Sequence, residues 1–222
     1  MNNGNTLDRK KFTSKWEYTQ KASSWHFDKW RVEIPPYKII CNLKDCWGDE
    51  LDKLTYEINV GTSGYGYMGK KGDGIIENDF LDWGYREDMI QFKRTYNVPE
   101  GLINIIEPLG LISPDVRIHC QMPGMVTPIH VDGYTSHPEI DKNPDRDMAG
   151  MTRLIIQLTD WEWGHFWSFG NSSWQQWKAG DVAFFDSREI VHAAANAGNK
   201  PRITMIVTGW LSEITQNLIK QA

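Results

Sequence analysis

Between residues 113 and 211 the chain is punctuated so closely that it has room for strands and turns and for little else. "RIHCQM" (117–122) alternates Arg117, His119 and Gln121 with Ile118, Cys120 and Met122, a period of two that sends one set to each face of a strand. "TRLIIQLT" (152–159), "GHFWSFG" (164–170), "DVAFFDS" (181–187), "IVHAAA" (190–195) and "RITMIVTGW" (202–210) follow at short spacing. The turn-rich stretches "FGNSS", "KAGD" and "NAGNKP" separate them. Many short strands with tight turns and few helices predict a sandwich or barrel. One long connection breaks the rhythm: "GYTSHPEIDKNPDRDMAG" (133–150) is polar and contains prolines, as binding loops and lids do.

The preceding residues have another texture. "DELDKLTYEI" (49–58) places Leu51, Leu54 and Ile58 at helical spacing, and "YREDMIQFKRTYN" (85–97) and "PEGLINIIEPLG" (99–110) also read as helices, the last with Pro99 at its start. "GTSGYGYMGKKGDG" (61–74) is a glycine-rich loop without the Gly-Lys-Ser/Thr ending of a phosphate loop. The expected class is therefore α+β, mainly β. An N-terminal helical and loop region, 1–112, would pack on a β core, 113–222, as one structural domain of a 222-residue chain.

The composition narrows the function classes. A formal net charge of -5 offers no basic face, so no nucleic-acid partner is expected. Three cysteines, Cys41, Cys46 and Cys120, are too few and too scattered for a disulfide framework and fit a reducing compartment. "MNNGNTLDRKKF" lacks the apolar segment of a signal peptide, and no apolar run reaches membrane-spanning length. A cytoplasmic protein is expected. Five of the eleven tryptophans, Trp161, Trp163, Trp167, Trp174 and Trp177, crowd one short segment, as barrel core or as an aromatic pocket wall.

The chemistry concentrates in "TPIHVDGYTSH" (127–137). His130 and Asp132 alternate, so on a strand both point the same way. Two imidazoles and a carboxylate on one face, with open positions opposite, hold mononuclear iron. The second imidazole has to come from downstream, and His137, His165 and His192 are the candidates. His192 opens an apolar strand after a turn, and the strand after it begins at Arg202. A guanidinium at the head of an apolar strand needs an anion, which its planar fork grips with two hydrogen bonds. Thr204 points the same way and adds a hydroxyl.

The order His130-x-Asp132, His192, Arg202-x-Thr204 resembles the Fe(II)/2-oxoglutarate-dependent oxygenases. "MTRLIIQLTDW" followed by "WKAGDVAFFDSREIVHAA" is more narrowly similar to the aspartyl/asparaginyl β-hydroxylases and the free-proline hydroxylases. The resemblance spans roughly residues 115–210 and implies a double-stranded β-helix, or jelly roll. It also implies Fe(II) on His130, Asp132 and His192, 2-oxoglutarate as cosubstrate with its distal carboxylate on Arg202, and O2 as oxidant. Arg153 corresponds to an arginine that assists cosubstrate binding. The implied reaction is hydroxylation of a C–H bond on a small metabolite, an amino acid or a protein side chain. The chain departs from the β-hydroxylases, which lack a metal carboxylate and the inserted loop 133–150, so substrate identity does not carry over. Two rival classes share the barrel: a cupin-like metal enzyme without 2-oxoglutarate, which needs no carboxylate anchor at Arg202, and a jelly-roll binding module without catalysis, which needs no three ligands.

The remaining polar residues have plainer expectations. Asp181 reads as a turn residue, His137 and His165 as loop and strand polar residues, and Arg117, His119 and Gln121 as a polar face or pocket wall.

Overall fold

The computed structural model describes residues 36–44, 47–55, 57–59, 92–95 and 97–222, apart from 131, 135, 136, 144, 171 and 191. The described strands are β1 (Lys38–Asn42), β2 (Glu57–Asn59), β3 (Phe92–Thr95), β4 (Ile112–Gln121), β5 (Val126–His130), β6 (Met151–Gln157), β7 (His165–Phe169), β8 (Ser172–Trp174), β9 (Asp181–Phe184), β10 (His192–Asn196) and β11 (Arg202–Trp210). Among the described residues three short helices accompany them: α1 (Glu100–Asn104), α2 (Pro138–Lys142) and, after the last strand, α3 (Glu213–Gln221).

The strands form two antiparallel sheets, one ordered β1-β9-β6-β11-β4-β3-β2 and the other β5-β10-β7-β8. From β4 onward the chain passes repeatedly between them: β4, β6, β9 and β11 lie in the larger sheet, and β5, β7, β8 and β10 in the smaller. That alternation makes a double-stranded β-helix, as the sequence led us to expect. Among the described residues no helix is long and apolar enough to cross a membrane.

Strand β11 shows why the sequence folds this way. Arg202, Thr204, Ile206 and Thr208 face the space between the sheets, while Ile203, Met205 and Val207 face outward. The outward set joins a core with Leu102, Leu109, Ile118, Leu154 and Val182, so the helical segment before β4 roofs the larger sheet. The inward set meets Ile155, Trp167, Phe169, Phe185 and Ala194. Of the clustered tryptophans, Trp167, Trp174 and Trp177 belong to this inner core, whereas Trp163 is 80% exposed.

The helical segment at 99–110 forms as read. Leu102 and Ile103 donate their backbone N–H to the Pro99 carbonyl, and after α1 the chain tightens into a 3-10 turn at Glu107–Leu109. Gly110 closes it at φ 68, a left-handed value that suits glycine. Helix α3 is capped by Ser212, whose hydroxyl accepts from the Ile214 and Thr215 amides at 3.1 and 3.3 Å.

Two other helical expectations are corrected. Residues 49–58 form only a 3-10 turn at Gly48–Glu50, and Glu57–Asn59 is strand β2. Within 85–97, Phe92–Thr95 is strand β3, inserted between β2 and β4; 85–91 lie outside the described residues. The reason is tertiary. Without β3, β4 would present an unpaired row of backbone N–H and C=O groups, and pairing there outweighs a weak local helical spacing. The glycine-rich stretch 61–74 also lies outside the described residues.

The described residues of the connection 133–150 fold against the ends of β4 and β11. His137 caps α2, its Nδ1 accepting the Glu139 amide, so its Nε2–H donates to the Ser113 carbonyl at 3.1 Å. Tyr134, Ile140 and Met151 bury together, Arg146 lies 4.2 Å over the Trp210 ring, and the Trp210 indole donates to the Asp147 carbonyl at 3.1 Å. These bonds pin the connection to the ends of β4 and β11.

The outer core predicts a specific loss. Leu154 is fully buried in the outer core that it shares with Leu102 of α1, and truncation to Ala should lower unfolding free energy by about 2–5 kcal/mol. Denaturant titration measures it, and a change within about 0.5 kcal/mol would show that the helical roof does not pack on β6.

Candidate metal centre

His130 closes β5 and His192 opens β10, and the two are direct partners across the antiparallel ladder. That pairing brings residues far apart in sequence side by side, with ring centroids 4.1 Å apart. Asp132 lies just past the end of β5 rather than on it. Its amide donates to the Ser187 carbonyl at 2.7 Å, and the chain turns away at Tyr134, whose backbone is left-handed at φ 56. A non-glycine residue there is strained unless its surroundings hold it. Here the Tyr134 ring is buried and its hydroxyl meets the Ser187 hydroxyl at 2.5 Å.

The result is a buried cluster. One ligand atom each from His130, Asp132 and His192 lies within 4.8 Å of the others. The carboxylate straddles the imidazoles: Oδ1 is 3.7 Å from His130 Nε2, and Oδ2 is 3.7 Å from His192 Nε2. His192 Nδ1 sits 3.0 Å from the Ile190 carbonyl, which can only accept, so Nδ1 carries the proton and Nε2 presents its lone pair inward.

The charge states suit a cation. Burial works to raise the Asp132 carboxyl, but the Arg153 guanidinium, helped by the Ser187 hydroxyl, holds it below its usual value. Burial pushes the His192 imidazole below its ordinary value, although Asp132 and the Ile190 carbonyl pull the other way. An ionised carboxylate beside a neutral imidazole is the donor set a divalent metal needs. Asp132 Oδ2 is buried without a hydrogen-bond partner, an orphan that a metal would satisfy.

Arg202 lies deeper between the sheets. It is 2% exposed, its Nη2 donates to Gln121 Oε1, and its Cζ lies 4.9 Å from the Trp167 ring centroid. The same indole stacks on His192 at 6.4 Å, so Arg202 and the metal cluster are one aromatic ring apart. Thr204 shares that face and donates its hydroxyl to Gln157 Oε1 at 3.0 Å. Two donors beside this region, Gln157 Nε2 and Trp167 Nε1, are buried without an acceptor. Arg202, Gln121, Thr204 and Gln157 thus form a buried polar group between the sheets, beside the Trp167 ring.

Arg153 also faces inward, but its Nη1 donates to Asp132 Oδ1 and its Nε to the Thr208 hydroxyl at 3.1 Å. The guanidinium that the resemblance assigns to the cosubstrate is thus bonded to the metal-site carboxylate. His137 and His165 stand apart from the cluster. His165 Nε2 meets the Lys200 carbonyl at 2.9 Å and its ring stacks on Trp177. Asp181 does serve a turn, its carboxylate accepting the Lys178 amide at 2.8 Å. Arg117 pairs with Asp115 at 2.7 Å.

Sequence reading missed Gln157, Ser187 and Tyr134, whereas Trp167 was among the tryptophans it read as core or pocket wall. The first could have been found by parity, since Gln157 is the one polar residue inside "LIIQL" and lies opposite Thr204. Ser187 and Tyr134 act through loop geometry, which carries no periodicity. A cavity of about 400 Å³ opens on the other side of Tyr134, lined by Met148, Met151, Phe184, Arg188 and Leu211 among others. None of the three cluster residues lines it.

No family model matches the chain, and no curated protein matches it. Solved structures do. A predicted oxalate decarboxylase from Thermotoga maritima is 16% identical over 55% of this chain and 82% of its own, with a TM-score of 0.35. A non-heme alpha ketoglutarate dependent carbocyclase from nogalamycin biosynthesis is 19% identical over 58% and 66%, with a TM-score of 0.43. The viral collagen prolyl hydroxylase of Paramecium Bursaria Chlorella virus-1, solved as a 2OG complex, is 18% identical over 71% and 96%, with a TM-score of 0.40.

The cluster predicts a sharp division among the histidines. His130→Ala, Asp132→Ala and His192→Ala should each lower the affinity for Co(II) or Zn(II) at least about tenfold, whereas His165→Ala should bind metal as wild type does. Calorimetric titration decides it; loss of binding in the His165 variant alone would move the site to the other end of β10.

Proposed function

We propose that the protein is an Fe(II)- and 2-oxoglutarate-dependent dioxygenase that hydroxylates a C–H bond of a small metabolite, an amino acid or a protein side chain. One observation carries the reading: Trp167 joins the buried His130–Asp132–His192 cluster to the buried Arg202, and the groups left orphaned at the two ends have opposite character. Near the imidazoles the orphan is an anionic oxygen, Asp132 Oδ2; on the Arg202 side the orphan is a donor, Gln157 Nε2, whose amide oxygen accepts from Thr204. A cation at one end and a dicarboxylate reaching to the other would satisfy both sets.

In this reading His130, Asp132 and His192 hold Fe(II). Arg202 takes the far carboxylate of 2-oxoglutarate in its fork, with Gln157 and Trp167 donating beside it and Thr204 keeping Gln157 oriented. Bound iron with 2-oxoglutarate supplies the activation of O2. The chain's own residues do the rest. His192 keeps Nε2 deprotonated through its Nδ1–H bond to Ile190. Trp167, Phe169 and Phe185 exclude water from the chamber. Gln121, donating to the Thr127 hydroxyl at 2.7 Å, holds the Arg202 guanidinium in place. A cytoplasmic location fits this redox-sensitive metal and belongs to the same proposal.

Two measurements test it. Anaerobic Fe(II) plus 2-oxoglutarate should give the weak visible charge-transfer band of the chelate; iron binding without the band would favour a cupin-like enzyme, and no iron binding a non-catalytic barrel. Arg202→Ala should weaken 2-oxoglutarate binding by roughly a hundredfold or more, because it removes two hydrogen bonds to a charged group at about 1.5–3 kcal/mol each. Metal affinity should barely change, since Arg202 is not in the cluster, and Lys should restore only part because it lacks the fork. Wild-type 2-oxoglutarate affinity in Arg202→Ala would remove the assignment.

A further inference from the structure

Arg153 has two restraints and one target. Its Nε donates to the Thr208 hydroxyl at 3.1 Å, its Cζ lies 5.3 Å from the Tyr134 ring centroid, and its Nη1 donates to Asp132 Oδ1. Thr208 is its direct cross-strand partner on the inner face. Thr208 lies six positions along β11 from Arg202, a rise of about 20 Å, so the two guanidinium groups enter the chamber from opposite ends. Arg153 is therefore poorly placed to share an anion with Arg202.

Its effect falls on the two carboxylate oxygens. Each lies 3.7 Å from one imidazole Nε2, so both face the place a metal would take. Arg153 engages only Oδ1 and leaves Oδ2 without a hydrogen bond. A carboxylate with both oxygens available can chelate a cation through both; one whose Oδ1 is held by a charged donor offers a single oxygen. We propose that Arg153 is a positioning residue that makes Asp132 a one-oxygen metal ligand, and so keeps a coordination position open for the cosubstrate. The inference rests on the metal reading above. It assigns Arg153 to the metal's ligand count, not to direct contact with 2-oxoglutarate.

The two roles separate when Co(II) is used as a probe and the visible bands are read without any 2-oxoglutarate. Co(II) bands respond in position and intensity to ligand number and symmetry. Arg153→Leu should still bind one Co(II) per chain, but with bands changed from wild type, and Arg153→Lys should bring them back toward wild type by restoring a donor for Oδ1. Thr208→Val keeps the guanidinium but removes the bond that aims it; its bands should shift in the same direction, which preserves the test if Arg153→Leu does not fold. Adding 2-oxoglutarate to the Co(II) forms should then show affinity about tenfold weaker in Arg153→Leu than in wild type. Bands of Arg153→Leu and Thr208→Val superimposable on wild type would overturn the inference, and with weakened 2-oxoglutarate binding they would mean direct contact with the cosubstrate. Wild type that binds Co(II) but not 2-oxoglutarate would overturn the cosubstrate reading alone, leaving the band shift to decide the role of Arg153.

Discussion

Strand β11 is hydrogen-bonded along both edges and covered on both faces, so its alternation has no freedom to slip. A shift of one residue would carry Arg202, Thr204 and Thr208 into the apolar roof formed with Leu102 and Leu109, and Met205 and Val207 into the chamber. Burying a guanidinium in that roof without partners would cost several kcal/mol, more than any one helix contact returns. The register of β11 thereby sets that of its neighbours. It aligns Gln121 with Arg202, Gln157 with Thr204 and Arg153 with Thr208. The chamber wall follows from those pairings.

The second constraint is charge. Asp132 is almost completely buried, and a lone carboxylate there would take up a proton rather than stay ionised. Arg153 prevents this through a direct bond, and its own burial is compensated by Thr208 and the Tyr134 face. Breaking such a pair from one side leaves an uncompensated buried charge, so the two groups are interdependent. The strained backbone of Tyr134 belongs to the same arrangement. It ends the segment that carries Asp132 and places the aromatic face under the guanidinium.

Much of this was legible in the sequence because it depends on period and polarity. The strands from 113 onward announced themselves by alternation and turn chemistry, and Arg202 by being a charge at the head of an apolar run. His192 could be preferred over His137 and His165 for that same reason, and the structure brings it, and neither of the others, to His130. What could not be read depends on contacts between distant segments. Residues 92–95 carry no signal that distinguishes a short helix from a strand; pairing with β4 on one side and β2 on the other decides it. The partners of the polar residues in 133–150 could not be read either: His137 and Arg146 spend their polarity on Ser113, Glu139 and the Trp210 ring. Arg153 was visible as an inward-facing cation, but a sequence cannot say which of two carboxylates, the protein's or a ligand's, it would meet.

The orphaned groups tie the fold to its proposed chemistry. Buried polar atoms are nearly always bonded, because each one left unmet costs about 1–3 kcal/mol. Here three of them, Asp132 Oδ2, Gln157 Nε2 and Trp167 Nε1, gather in one chamber. A barrel core optimised only for stability would hold apolar residues at such positions. In the proposed reading ligands would supply the missing partners: each species that binds the folded site and not the unfolded chain adds to the free energy of unfolding in proportion to the logarithm of its concentration over its dissociation constant. A metal would satisfy the oxygen and a carboxylate the donors, so that the two ends of the site, joined through the Trp167 ring, would select their occupants by opposite charge.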